Sequence, residues 1–148
     1  MITDKQAKQA VAWLSGAHFI NDIFTGMLNP LMPFIAAKMS FSLFFATIII
    51  SISHIFSSVL QPIIGYFADN IQRRAFIFWG LLMSSIFIAN APGLNSKWLF
   101  ILFVALGSLG SSLFHPQSLG VVSKFLQGDG KNVAKGMGIF MGIGALGY

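Results

Sequence analysis

Apolar residues in this chain come in long runs that short polar segments separate. The runs cover residues 11–37, 41–68, 76–91 and 98–119, and a fifth begins at residue 136 and continues to residue 148. A helix needs roughly 20 residues to cross the hydrocarbon core of a bilayer. Strands of a membrane barrel would instead alternate apolar and polar positions, and these runs do not. The pattern predicts four complete transmembrane helices and the start of a fifth.

Composition strengthens this interpretation and removes several classes of chemistry. Of the 148 residues, 55% are hydrophobic and only 9% are charged, and the mean hydropathy is +0.78. A soluble domain has about 25% charged residues. The chain also lacks cysteine, which excludes disulfides, thiolate metal sites and cysteine nucleophiles. We therefore expect an all-α integral membrane protein whose main partner is the lipid bilayer.

The basic residues lie at the ends of the predicted helices, so they report topology. With the N-terminus in the cytoplasm, seven basic residues are inside and only Lys38 and Lys97 are outside. Such an excess is the usual signature of cytoplasmic loops. The pattern predicts a multi-pass protein of the cytoplasmic (inner) membrane, and it explains the net charge of +5 without a nucleic-acid partner.

Three of the predicted helices carry polar residues at steps of three or four, so each has one polar face. Small residues at this spacing are most often packing devices between membrane helices. A polar face still has to turn toward other helices or a water-filled cavity. The third helix has few polar residues and is expected to be peripheral. The three faces are Ser15, His18, Asp22, Thr25 and Asn29; Ser51, His54, Ser58, Gln61 and Gly65; and Gly107, Ser111, His115 and Ser118.

Asp22 is the one acidic residue in the middle of a predicted span. A carboxylate there is expensive and usually functional, so we expect proton coupling, cation coupling or substrate contact. The alternative is a buried structural partner for a cationic group such as His18. For His18 and His54 an interhelical hydrogen bond is about as plausible as a functional role.

The segment "GYFADNIQRR", residues 65–74, is a second constellation, at the cytoplasmic end of the second helix. Gly65 would allow close approach of another helix. Asp69 could accept hydrogen bonds from a helix N-terminus or pair with Arg73 or Arg74, which would form a reversible gate. The arginines alone could also be simple membrane anchors.

This segment resembles the loop between helices two and three of the major facilitator superfamily, G-x-x-x-D-[RK]-x-G-[RK]-[RK]. It matches at Gly65, Asp69, Arg73 and Arg74 and departs at Asn70 and Gln72. The wider set "HFINDIFTGMLNPLMPF", "SSVLQPIIGYFAD" and "LGSSLFHPQSLGVVS" resembles the fosmidomycin resistance branch of that superfamily in order and spacing. The resemblance implies an N-terminal part of a twelve-helix carrier, so residues 1–148 would form an incomplete six-helix half.

The resemblance also implies a mechanism, namely proton-driven efflux of a small polar or drug-like molecule by alternating access. Asp22 and His18 are the expected proton-coupling residues, and Gly65, Asp69, Arg73 and Arg74 the expected gate. No cofactor beyond the proton gradient is expected. The candidates for the substrate cavity are Asn21, His54, Gln61, His115 and Gln117.

Other functions stay open at this point. The chain could belong to an uptake carrier for a sugar or other metabolite, or it could be an inactive truncated or split-gene remnant. A second chain could supply the missing helices. Enzymatic catalysis is not expected, because the sequence shows no nucleophile and base at usable spacing, no metal-ligand cluster and no phosphate-binding loop.

Overall fold

The computed structural model describes residues 4–68, 73–126 and 130–148, and within these ranges every regular element is helical. This confirms the all-α class. A short 3-10 turn, Ala91–Gly93, lies between the fourth and fifth helices. The helices are α1 (Asp4–Gly26), α2 (Leu28–Met39), α3 (Leu43–Ala68), α4 (Arg73–Asn90), α5 (Lys97–Phe125) and α6 (Gly130–Ala145).

The first predicted helix, residues 11–37, is interrupted in the structure between α1 and α2. Pro30 explains the interruption, because proline has no N–H to donate to the carbonyl of Gly26 four residues earlier. Helical hydrogen bonds continue on both sides. The Met27 N–H donates to the Ile23 carbonyl at 3.0 Å, and the Leu31 N–H donates to the Met27 carbonyl at 3.3 Å. The break is therefore confined to one turn.

Within the described ranges, three helical segments are long and apolar enough to cross a membrane: 43–67, 74–93 and 97–125. The expected count of four complete spans treated residues 11–37 as one helix, which the structure divides at Met27. Two other boundaries differ from the sequence pattern. α5 continues to Phe125 rather than residue 119, and α6 begins at Gly130 rather than residue 136. Polar residues such as Lys124 and Lys135 end an apolar run without ending a helix.

α5 lies at the centre of the bundle and packs against α1, α3, α4 and α6. Its contact with α4 depends on glycines. A Cβ added at Gly80 would lie 2.7 Å from the Phe114 nitrogen, and one added at Gly110 would lie 2.5 Å from the Ser84 nitrogen. α4 therefore approaches α5 at backbone distance on one side, while Phe78, Trp79 and Ile86 of α4 are exposed. The peripheral position expected for the third predicted helix stays a prediction.

A side-chain contact confirms that the two predicted external turns lie at the same end of the bundle. The Lys38 ammonium, at the end of α2, donates to the carbonyl oxygens of Pro92 and Gly93 at 3.2 and 3.1 Å. These carbonyls belong to the turn between α4 and α5. The end of α2 and the turn between α4 and α5 thus lie side by side, as antiparallel packing from α2 to α5 through short loops requires.

Candidate functional site

Three ionisable side chains from two helices converge inside the bundle: His18, Asp22 and His115, here called the triad. The Nε2 atom of His18 lies 3.1 Å from one carboxylate oxygen of Asp22, and the Nε2 atom of His115 lies 3.3 Å from the other. His18 and Asp22 are 3% and 4% exposed. The two imidazole rings meet edge to face, with centroids 4.9 Å apart. A buried carboxylate is thus bracketed by two histidines.

The position of the His18 ring is determined by helical spacing on α1 and by its contacts with α6. His18 and Asp22 are one turn apart on α1, so they share a face. The His18 ring stacks on Phe140 of α6, with centroids 4.4 Å apart, and its Nδ1 atom lies 3.0 Å from the Phe140 carbonyl oxygen. Gly144 leaves the room for this arrangement, because a Cβ there would overlap the His18 ring.

Asn21 is fully buried and links three helices through its amide. Its Nδ2 group donates to the Asp22 carboxylate at 3.0 Å and to the Ser111 hydroxyl of α5 at 3.2 Å. Its Oδ1 atom accepts from the Ser84 hydroxyl of α4 at 2.7 Å. Asn21, expected in the substrate cavity, therefore lies among protein partners on α4 and α5 and orients the carboxylate of Asp22.

The remaining cavity candidates are His54, Gln61 and Gln117. His54 is exposed on α3, and Gln61 on the same helix is half-buried. Gln117 is 1% exposed, and its side-chain carbonyl oxygen has no hydrogen-bond partner among the residues that the structure describes. It lines a groove of about 390 Å³ between α3, α5 and α6, together with Gly65, Gly120, Ser123 and Met137.

The expected gate is only partly visible. Asp69 lies outside the described residues, and so does the side chain of Arg73. Arg74 is exposed near the start of α4, and Gly65 borders the groove, where an added Cβ would lie 3.7 Å from Pro116. Pairing of Asp69 with an arginine therefore stays a prediction.

Two features of the site escaped sequence reasoning. The first is the support from the Ser84 hydroxyl and the Phe140 carbonyl, since a lone serine and a backbone atom carry no signal of their own. The second is the close grouping of the triad, whose candidate ligand atoms all lie within 4.8 Å of one another. The recurrence of polar residues on the first and fourth predicted helices was the available signal, but it does not say which residues meet.

Chemically, the triad can store and exchange protons. Histidine is the side chain that most readily changes charge near neutral pH, and ionisable groups inside a membrane bundle commonly mark proton or ion pathways. Hydrogen bonds from two imidazoles and one amide stabilise the carboxylate. Each of them depends on the protonation state of the groups involved.

The sequence is similar to a family of membrane transporters and to several of its members. The family profile described as Major Facilitator Superfamily matches residues 14–148. An uncharacterised MFS-type transporter of Methanocaldococcus jannaschii is 25% identical over 138 residues, which cover 92% of this chain and 34% of the relative. No solved structure gives a significant match.

Two bacterial relatives are similar over shorter regions. The fosmidomycin resistance protein of Escherichia coli is 28% identical over 109 residues, covering 71% of this chain and 26% of that protein. The uncharacterised MFS-type transporter YfnC of Bacillus subtilis is 29% identical over 103 residues, covering 68% and 24%. The chain thus spans about a quarter to a third of the length of these relatives.

Proposed function

Because this chain belongs to the major facilitator superfamily of membrane transporters, we propose that it forms the proton-coupling part of a carrier that exports a small polar molecule. The observation that carries the proposal is the burial of Asp22 between two imidazoles, at 3.1 and 3.3 Å. A buried carboxylate that only held helices together would not need two partners that themselves gain and lose protons.

The triad offers a direct link between protonation and movement. Asp22 and His18 are on α1, whereas His115 is on α5. The contact between Asp22 and His115 therefore joins two helices, and it weakens when a proton leaves it. A change in protonation biases the equilibrium between two arrangements of α1 and α5, and such a bias is what alternating access requires.

For the substrate we propose the groove beside Gln117, whose free buried oxygen can accept a hydrogen bond from a polar solute. His54 and Gln61 on α3 are further proposed contacts. Gly65, Asp69, Arg73 and Arg74 are the proposed gate at the cytoplasmic end. We propose export rather than uptake from the likeness to the fosmidomycin resistance protein. We propose a location in the cytoplasmic membrane, with the N-terminus inside, from the distribution of lysine and arginine.

The remaining helices of such a carrier would come from further sequence or from a second chain. The chain covers at most 34% of the relatives described above. A cavity open alternately to two sides needs two groups of helices that move against each other. The proton gradient is the proposed energy source, without a cofactor.

Membrane vesicles test this function directly. Cells expressing the whole gene from which the chain is read would supply everted and right-side-out vesicles, and labelled fosmidomycin would serve as the probe. Export by proton exchange predicts accumulation in everted vesicles with an acidic lumen, and loss of accumulation when a protonophore collapses the gradient. Accumulation only in right-side-out vesicles with an acidic exterior would indicate uptake instead. Absence of proton-linked movement in both would contradict the proposal for this probe.

A further inference from the structure

The hydrogen bonds of the two histidines reveal where their protons are. The Nδ1 atom of His18 lies 3.0 Å from the Phe140 carbonyl oxygen. A carbonyl oxygen can only accept a hydrogen bond, so Nδ1 has to carry the proton. The α6 backbone therefore fixes the tautomer of His18.

His115 has the same arrangement within its own helix. Its Nδ1 atom lies 2.9 Å from the backbone carbonyl oxygen of Ser111, closer than the 3.1 Å to the Ser111 hydroxyl. That hydroxyl accepts from Asn21 and has a second lone pair, so its contact is also compatible with a proton on Nδ1. The shorter contact again requires a proton on Nδ1, because the carbonyl oxygen has none to give.

With Nδ1 protonated, a neutral imidazole has only a lone pair at Nε2. In both histidines this atom faces an oxygen of Asp22, at 3.1 and 3.3 Å. A lone pair opposite a carboxylate oxygen is repulsive, so each contact needs one proton between its two atoms. The Asn21 amide donates one hydrogen bond to the Asp22 carboxylate at 3.0 Å. This bond places no proton between the carboxylate and either imidazole.

The proton count does not depend on which atom holds each proton. Two imidazolium rings with a carboxylate carry the same protons as one imidazolium, one imidazole and a carboxylic acid. Either form gives the triad a net charge of +1. Loss of one proton leaves a neutral triad with one repulsive contact, and loss of both leaves a negative one. Groups this close titrate as a unit.

The neighbouring elements offer the triad no other charge among the described residues. From α4, the Ser84 hydroxyl reaches the triad only by its hydrogen bond to Asn21. From α6, the Phe140 ring and the Phe140 carbonyl oxygen contact His18. The phenol of Tyr148 is a further titratable group on the side of Asp22. Among the described residues, no neighbouring cation thus takes the place of the two protons opposite Asp22.

We propose that His18, Asp22 and His115 form one unit that binds two exchangeable protons, one in each contact between Nε2 and the carboxylate. His115 is then a second proton carrier rather than only a substrate contact. Its side chain is 24% exposed against 4% for His18, which makes His115 the proposed point where protons enter and leave. The use of these protons in transport rests on the proposed function, whereas their presence does not.

Nitrogen NMR of the histidine rings tests this in the chain itself. The chain has only three histidines, and the exposed His54 serves as an internal reference. The chain, labelled with ¹⁵N-histidine and reconstituted in lipid nanodiscs with a chelator present, would be titrated across neutral pH. We expect a proton on Nδ1 of both His18 and His115 and two further protons in their contacts with Asp22. These two appear as two protonated Nε2 atoms, or as one protonated Nε2 beside a carboxylic acid that a ¹³C-carboxyl label on aspartate reports. Two protons should leave the pair on further titration.

Two variants distinguish the effect of the Asp22 carboxylate on the histidine protons from the effect of removing any acidic residue. Asp22→Asn should leave both triad histidines neutral, with the proton on Nδ1, whereas Asp129→Asn, which removes an acid in the polar segment between α5 and α6, should reproduce the wild-type spectrum. The wild-type result stands even if Asp22→Asn does not fold. Asp129→Asn behaving like Asp22→Asn would overturn the assignment to Asp22.

Three results on the wild-type chain would overturn the two-proton unit. The first is a single protonated Nε2 beside an ionised Asp22 carboxylate. The second is a proton on Nε2 with none on Nδ1 in either ring. The third is a spectrum that added Zn²⁺ converts stoichiometrically to two metal-bound Nε2 atoms, which would make the triad a cation site. Failure of vesicle transport alongside two bound protons would reject the proposed function and leave this inference intact.

Discussion

At the residue scale, Asn21 and Asp22 are adjacent in sequence but differ in the structure. Asp22 faces two imidazoles whose protons can leave, while Asn21 joins hydroxyls and a carboxylate that stay in place. Sequence analysis identified Asp22 from its position in an apolar run, because a lone carboxylate in that setting is costly. It could not separate Asn21 from the substrate contacts, since both roles require the same buried amide.

Replacement of Asn21 by alanine should destabilise the bundle. The change leaves the Ser84 hydroxyl, the Ser111 hydroxyl and one oxygen of Asp22 without their amide partner, and an unsatisfied buried polar group costs about 1–3 kcal/mol. A thermal melt of the purified chain in detergent should show a lower Tm. Asn90→Ala is the matched control, because Asn90 is exposed and its amide donates only to the Ile86 carbonyl within the same helix.

Equal Tm values for Asn21→Ala and Asn90→Ala would contradict the linking role of Asn21. In that case the hydrogen bonds between α1, α4 and α5 would contribute nothing to stability, and Asn21 would return to the candidates for substrate contact.

At the element scale, glycines decide which helices approach closely. Small residues were expected to be packing devices, and Gly80, Gly110 and Gly144 serve that purpose at the α4–α5 and α1–α6 contacts. The sequence could not assign glycines to partners, because a glycine marks a possible close approach without naming the other surface. The break at Pro30 likewise follows from local chemistry, because proline lacks a backbone N–H. Only the structure shows that the break lies at Met27, between α1 and α2.

Gly144→Ala should disturb the site from α6. Its new Cβ would overlap the His18 ring, so either α6 moves away or the ring leaves the Phe140 carbonyl. Overpacking of this kind costs about 1–3 kcal/mol. We expect a lower Tm and loss of the fixed Nδ1 proton of His18 in the ¹⁵N spectrum.

Gly142→Ala is the control on the same helix, since nothing lies within 4 Å of a Cβ at that position. It should leave both the Tm and the spectrum close to wild type, because alanine also favours the helix. An identical response of the two variants would show that α6 does not hold His18 in place.

At the scale of the whole molecule, sequence pattern was sufficient for the class and direction of the helices. The antiparallel order followed from short loops, and the contact of Lys38 with Pro92 agrees with it. Membership of the superfamily follows from the match over residues 14–148. The meeting of His115 with His18 and Asp22 could not be derived, because it depends on how α1 and α5 rotate against each other, and no local rule sets that rotation.

The central claim is that Asp22 couples protons to transport, and one comparison of two transport modes tests it. In vesicles from cells expressing the whole gene, Asp22→Asn should retain exchange of labelled for unlabelled substrate, which needs no net proton movement. Accumulation driven by a pH gradient should fall to the level of vesicles without the protein, while Asp129→Asn keeps both activities. Gradient-driven accumulation by Asp22→Asn at the wild-type level would contradict the account.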